Sequence, residues 1–195
     1  MHIRLATPAD AEAVRAVYVP YVEATAVSFE VTPPSVEEMA ARIRDRHADH
    51  PWLVAEEDGG GIAGYAYASR FAPRAAYAWA VETSVYLAEA ARGRGIGRAL
   101  YTSLLQILAA QGYRMAFAGA TLPNPASQGF HEAMGFTRSG VYRSVGWKLG
   151  SWRDVGWWQR PLRGGDGEPP PPRPYTDLPA GTLEAALAAG TALLG

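Results

Sequence analysis

Apolar positions change period several times along the chain, and each change marks a predicted element. Residues 2–6 alternate, which predicts a short strand. Thr7-Pro8-Ala9-Asp10 reads as a helix start, with Thr7 as cap and Pro8 at the first helical position, where its missing N–H does no harm. Val14, Val17, Tyr18 and Tyr21 follow at helical spacing. Ser35-Val36-Glu37-Glu38 opens a second helix with a capping box, and its apolar stripe is Val36, Met39, Ala40 and Ile43. Residues 52–56 and 62–69 are strands on either side of the turn Asp58-Gly59-Gly60-Gly61, the pattern of a hairpin. Residues 80–87 make a further strand. Residues 95–111 form a long amphipathic helix with Ile96, Leu100, Leu104, Ile107 and Leu108 as its buried stripe and Gly112 as its stop. A strand over 114–120 follows. Asn124-Pro125 then opens a helix that Gly135 ends, and 136–148 and 152–160 are the last two strands.

The order is β-α-α-β-β-β-α-β-α-β-β, a mixed α/β pattern around one sheet, so residues 1–162 form one domain. The pattern then breaks. Residues 163–195 begin with a Gly/Pro-rich linker that includes Gly-Gly-Asp-Gly and four consecutive prolines. Residues 182–194 are rich in Ala and Leu and suit a short helix, although Gly190 interrupts them and the segment is too short to stand alone. Docking on the body, docking on a partner and disorder all fit this tail.

Composition narrows the chemistry. The chain has 195 residues, with 18 basic against 19 acidic side chains and a net charge of −1, which disfavours a general nucleic-acid or anionic-membrane binder. There are no cysteines, so thiolate nucleophiles, disulfides and Cys-ligated zinc are excluded. Only four histidines occur (His2, His47, His50 and His131), and no metal centre is expected. No apolar run is long enough to span a membrane. Met1 leads straight into the strand and helix patterns without a leader, so the expected compartment is the cytoplasm.

The strongest local signal is Arg92-Gly93-Arg94-Gly95-Ile96-Gly97, set between a strand and a helix. Glycines allow close backbone approach, and the free N–H groups and dipole of a helix N-terminus attract an anion. Arg92, Arg94 and Arg98 add positive charge. The segment lacks the Lys-Ser/Thr of a phosphate-binding loop and the glycine spacing of a dinucleotide fingerprint. An acyl-CoA pyrophosphate site remains, beside the plainer reading of a glycine-rich turn with solvated arginines.

Arg92-x-x-Gly95-x-Gly97 resembles the acyl-CoA motif of the GNAT superfamily of N-acetyltransferases, and Asn124 with Gly135-Phe136 resembles its downstream segment. Within the superfamily, the chain is similar to the phosphinothricin N-acetyltransferase group. The blocks that carry this are Arg74-Ala75-Ala76-Tyr77, residues 81–87 (Val-Glu-Thr-Ser-Val-Tyr-Leu), Leu122-Pro123-Asn124 and His131-Glu132-Ala133-Met134-Gly135-Phe136, followed by Val145-Gly146-Trp147-Lys148 and Trp152-Arg153-Asp154-Val155-Gly156. The likeness runs from the first strand to about Leu162 and leaves the tail without a counterpart.

The resemblance implies a GNAT fold, with a mixed, mostly antiparallel sheet flanked by helices, and direct acetyl transfer from acetyl-CoA to a small-molecule amine. It implies that the backbone of Gly93, Gly95, Ile96 and Gly97, with the neighbouring arginines, holds the pyrophosphate. Val85, Tyr86 and Leu87 would offer backbone groups to the pantetheine arm, with the N–H near Val85 polarising the thioester carbonyl. Asn124 would bond near the sulfur, while its residue type equally suits the cap of the helix that starts at Pro125.

On a strand, Glu82 shares a face with Ser84 and Tyr86, opposite Val81, Thr83, Val85 and Leu87. Glu82 is the candidate general base, since a carboxylate within an apolar strand needs a partner or a function. A structural ion pair is the plain alternative. His131 stands where many GNAT enzymes have a tyrosine, and is either the acid for the CoA thiolate or a second base; a packed polar residue beside Phe130 is its plain alternative.

The resemblance makes Arg74 a grip for a carboxylate or phosphinate, with Tyr77, Tyr86 and Phe29 as pocket walls. One departure matters: the group usually has a basic residue two places before this arginine, and here that place is Ala72. A missing cation disfavours a doubly anionic acceptor and leaves room for methionine sulfone or methionine sulfoximine. Another amine (a peptide N-terminus or a polyamine) and a non-catalytic acyl-CoA module are the alternatives. The group also implies a homodimer, with Trp147, Trp152, Trp157 and Trp158 as either interface or core.

Overall fold

The computed structural model describes residues 1–46 and 49–194; His47 lies outside them. The elements are β1 (His2–Leu5), α1 (Ala11–Glu23), α2 (Val36–Arg46), β2 (Trp52–Glu56), β3 (Ile62–Arg70), β4 (Ala80–Leu87), α3 (Ile96–Gln111), β5 (Met115–Leu122), α4 (Pro125–Ala133), β6 (Thr137–Lys148), β7 (Ser151–Pro161) and α5 (Thr182–Thr191). The seven strands form one sheet in the order β1-β2-β3-β4-β5-β7-β6. Every neighbouring pair is antiparallel except β4 and β5.

Alternation along the strands divides the core in two. Leu53 and Ala55 of β2, Ala66 and Ala68 of β3, and Val81 of β4 pack with the stripe of α3. Trp52 and Val54, with Tyr65, Tyr67 and Tyr86, pack with α1 and α2 on the opposite face. Each strand thus supplies both layers by period-two patterning.

Helix starts differ in their chemistry. Ser35 and Glu38 make the expected reciprocal cap, at 3.1 and 2.7 Å. At the first helix, Pro8–Asp10 forms a 3-10 turn and α1 begins only at Ala11. There Thr7 is the N-cap, and the Asp10 carboxylate folds back to accept from the Thr7 N–H and hydroxyl and from Arg4, closing a capping box.

Beyond Leu162 the chain stays close to the body. Arg173 and Gln111 exchange bonds of 2.9 and 3.0 Å, and Tyr175 is buried. Helix α5 lies on α3 through Leu183, Ala186 and Leu187, and Thr191 Oγ1 accepts the N–H of Ile3 at 2.9 Å.

Candidate active site

Strands β4 and β5 pair only over Ala80–Met115, Val81–Ala116 and Glu82–Phe117. Past that register no pairing joins β5 to β4, while β5 stays paired with β7 along its other edge. The sheet therefore opens. A cavity of about 60 Å³ occupies the gap, lined by Thr83, Val85, Tyr86, Asn124, Ser127 and His131 among others.

Backbone groups face this gap. Leu87 directs its N–H and C=O to the Tyr21 hydroxyl, at 3.3 and 2.6 Å, whereas Ala88 N–H bonds to Ala63 of β3. Residues alternate in direction along a strand, so Val85 turns its backbone the same way as Leu87.

At the mouth of the gap, Gly93 and Gly95 have φ of 75° and 79°, a conformation that favours glycine. No atom lies within 4 Å of where a β-carbon on either would stand. The loop backbone is thus open to a ligand just ahead of the α3 N-terminus. Gly97 serves a different purpose: a β-carbon there would crowd the Phe130 ring at 3.2 Å and meet Leu87 at 3.6 Å. Arg92 lies over the Tyr21 ring at 5.3 Å, Arg94 pairs with Glu57 at 3.2 Å, and Arg98 lines a separate cleft between α3 and the end of α4.

His131 is 5% exposed. Its ring lies among Tyr101, Phe130, Phe136 and Trp158, on the α3 face of the sheet. Nδ1 stands 2.8 Å from Ser127 O. A carbonyl only accepts, so Nδ1 carries a hydrogen and Nε2 is the titrating nitrogen. Burial holds the His131 pKa below the ordinary imidazole value, partly offset by the bond to Ser127. Asn124 Oδ1 accepts from Ser127 N–H at 3.1 Å, so it caps α4.

Glu82 lies on the other face, the one it shares with Tyr86. The Tyr86 ring meets Tyr18 and Tyr21 edge-on at 4.9 and 5.1 Å, and burial raises its hydroxyl pKa well above the usual value. His131 lines the gap from the α3 face, whereas Glu82 stands at the last paired register of β4 and β5, on the opposite face and outside the cavity lining.

A match to the acetyltransferase (GNAT) domain covers residues 3–157. The chain belongs to the GNAT family. It is 42% identical over 177 residues to the phosphinothricin N-acetyltransferase of Streptomyces viridochromogenes, covering 89% of this chain and 92% of that one. It is 34% identical over 154 residues to the L-methionine sulfoximine/L-methionine sulfone acetyltransferase of Pseudomonas aeruginosa, covering 78% of this chain and 90% of that one. Among solved structures, it is similar to the GNAT superfamily phosphinothricin acetyltransferase of Sinorhizobium meliloti in complex with AcCoA. That likeness has a TM-score of 0.82 at 38% identity, over 86% of this chain and 92% of that one. The chain is accordingly an N-acetyltransferase with the GNAT fold.

The remaining GNAT candidates fall on the Glu82 face or at its rim. Arg74 is exposed and precedes a 3-10 turn, Ala75–Tyr77. Tyr77 stands edge-on to Phe71 at 5.7 Å, and Phe29 lies against Gly146. Sequence reasoning missed Phe71 and Phe117, which stack at 4.2 Å beside Trp157. A signal existed: with Ala116, Ala118 and Ala120 facing α3, Phe117 must face the other way. Tyr101 carries no signal in the sequence beyond its place in the long helix, yet its ring meets His131 at 5.8 Å. Of the four tryptophans, Trp158 is core, Trp157 is partly buried, and Trp147 and Trp152 are 59% and 63% exposed. Among the described residues no group of three or more His, Asp or Glu is placed to hold a metal ion, and no helix is long and apolar enough to cross a membrane.

Proposed function

We propose that this enzyme transfers the acetyl group of acetyl-CoA to the α-amine of a small amino-acid-like acceptor, directly and within a ternary complex. The observation that carries this reading is the opening between β4 and β5, with Glu82 on one face and His131 on the other. Thioester aminolysis needs a base on the amine side and an acid on the thiolate side, and a gap through the sheet separates those tasks. Glu82 takes the ammonium proton, the nitrogen attacks the carbonyl carbon, and the Val85 N–H supports the oxyanion. The C–S bond then breaks toward the His131 side. The open backbone at Gly93 and Gly95, with Arg92, Arg94 and Arg98 nearby, suits the pyrophosphate. Tyr86 and Leu87 flank the pantetheine arm, and Asn124 adds its free amide hydrogens.

Acceptors of the phosphinothricin, methionine sulfoximine and methionine sulfone type are favoured because relatives on both sides of that divide are named for them. Arg74 would hold the acceptor's anionic group, with Tyr77 and Phe29 as walls. Acetylation cancels the ammonium charge of such a compound, which would end its mimicry of an amino acid and confer resistance. We place the reaction in the cytoplasm, where acetyl-CoA is available. A homodimer completes the reading: Tyr142, Val145, Trp147, Leu149 and Trp152 are large apolar side chains exposed on β6, β7 and the turn between them, which a second copy would cover.

Thiol release from acetyl-CoA, followed against a panel of amino-acid analogues, polyamines and short peptides, tests the substrate class. Saturable turnover with the three analogues supports it, and turnover with polyamines or peptides alone defeats it. Glu82→Gln should collapse turnover while acetyl-CoA binding persists. Survival of turnover removes Glu82 from the mechanism.

A further inference from the structure

Tyr101 has no part in the reading above, although it lines the gap and is fully buried. Its hydroxyl stands 3.2 Å from Thr83 Oγ1 and 3.4 Å from His131 Nε2. The direction of each bond follows from its neighbours. Thr83 gives its hydrogen to Phe117 O at 3.1 Å, so toward Tyr101 it is an acceptor. His131 keeps a hydrogen on Nδ1 for Ser127 O, so only Nε2 changes state.

These constraints give two arrangements. With His131 neutral, the single hydroxyl hydrogen of Tyr101 has two acceptors, Thr83 Oγ1 and the bare Nε2. With His131 charged, Nε2–H donates to the Tyr101 oxygen. The hydroxyl hydrogen then turns away from His131, toward Thr83 and the gap. The hydroxyl is therefore able to receive a proton on one side and release one on the other.

We propose that Tyr101 is a catalytic residue that relays the His131 proton to the departing thiolate. This rests on the acetyl-transfer reading given above. In the step, the His131 Nε2–H bond breaks as a new O–H bond forms on Tyr101. The original O–H bond breaks as S–H forms on CoA, with the electron pair coming from the broken C–S bond. Imidazole and phenol both end neutral. His131 takes its Nε2 proton from solvent before each turnover, so the step runs through the charged fraction of His131, which burial keeps small near neutral pH, and the amine proton leaves through Glu82.

Burial raises the Tyr101 pKa far above its ordinary value, and the Glu82 charge adds to this. A free tyrosinate is thereby disfavoured, so the two transfers must be concerted. The groups that face His131 are Tyr101 from α3, Phe130 and Ser127 from its own helix, Phe136 just ahead of β6 and Trp158 from β7. From β4, the Glu82 charge reaches Tyr101, and Arg138 of β6 lies over the Trp158 ring at 6.0 Å.

Tyr101→Phe tests the relay, because it removes the hydroxyl and keeps the ring packed against Phe130. We expect kcat to fall about 100-fold with the acceptor KM unchanged. Combined with His131→Gln, it should be no slower than the slower single variant. In the enzyme without substrates, NMR should show His131 titrating at lower pH in Tyr101→Phe, since the imidazolium loses its Nε2 acceptor. A wild-type kcat with an unmoved titration overturns the proposal, and so do two single effects that multiply. A proton inventory on wild-type single turnovers needs no variant: two protons in flight give a curved dependence on deuterium fraction, and a straight line overturns the relay. The titration needs no acceptor amine. An enzyme that acetylates nothing in the panel defeats the function reading alone, whereas an unmoved His131 titration defeats the Tyr101 contact itself.

Discussion

The ring of Phe29 fills the space that a β-carbon on Gly146 would take. The loop between α1 and α2 is thereby keyed to β6 at a position where any side chain would collide with it. Phe29 is 39% exposed, so it has a route outward. Gly146→Ala should push the ring into solvent, costing about 1 kcal/mol of stability while removing one proposed wall of the acceptor pocket. The expected result is a raised acceptor KM with acetyl-CoA affinity unchanged and the melting temperature lower by about 2–4 °C. Steady-state kinetics with each substrate varied in turn checks it, and an unchanged acceptor KM takes Phe29 out of the pocket.

Lys148 secures the same loop from below. Its ammonium is buried and donates to the carbonyls of Val22, Ser28 and Glu30, each at 2.6 Å. Desolvation lowers its pKa, partly offset by the Glu30 charge. Glu30 itself is held by Arg42 at 2.7 and 3.0 Å. Lys148→Met keeps the length of the side chain and leaves three buried acceptors unsatisfied, which should cost about 3 kcal/mol. Urea unfolding measures this directly. A loss under about 1 kcal/mol would mean that water replaces the ammonium without strain.

Strand and helix order was legible because this chain patterns its layers cleanly. Val81 and Thr83 against Glu82 and Tyr86 can be sorted by parity alone, and the glycine-arginine loop stands out as a candidate anion site by composition. What sequence could not give is where β4 and β5 part. Their pairing runs only from Ala80–Met115 to Glu82–Phe117, a long-range register with no local signature. Tyr101 was invisible for a related reason: it lies in the buried stripe of α3 beside Leu100 and Leu104, and its partners Thr83 and His131 come from two other elements. Lys148 sits in a quoted motif, yet nothing near it in sequence shows that its ammonium reaches across to the end of α1.

The lowered pKa of His131 makes stability depend on pH. The unfolded chain protonates this imidazole near its ordinary value of about 6.5, whereas burial holds the folded value below that. Above pH 6.5 both states are neutral and the group contributes no slope. As pH falls through about 6.5 toward the folded value, the unfolded state binds more protons and stability is lost. His131→Gln should remove this part of the slope, so the two stability curves should converge with falling pH. Melting temperatures between about pH 5 and 8 check the sign. Parallel curves would mean that His131 is as easily charged in the folded enzyme as outside it.

Gly190 decides whether α5 is part of the body. Taken alone, a glycine within an Ala/Leu helix weakens it, and alanine there should strengthen the helix by roughly 1 kcal/mol. In the docked arrangement the sign reverses. A β-carbon at Gly190 would run into the backbone carbonyl of Ala99 and the hydroxyl of Ser103 on α3, and the carbonyl cannot move aside. Helix α5 would have to lift, exposing Ala186 and part of Leu183 and Leu187 and breaking the Ile3–Thr191 bond. Re-exposure of that apolar surface costs about 3 kcal/mol. Gly190→Ala should therefore lower the melting temperature and open the proline-rich linker to limited proteolysis. A variant as stable as the wild type, or more so, would mean that α5 spends its time away from α3.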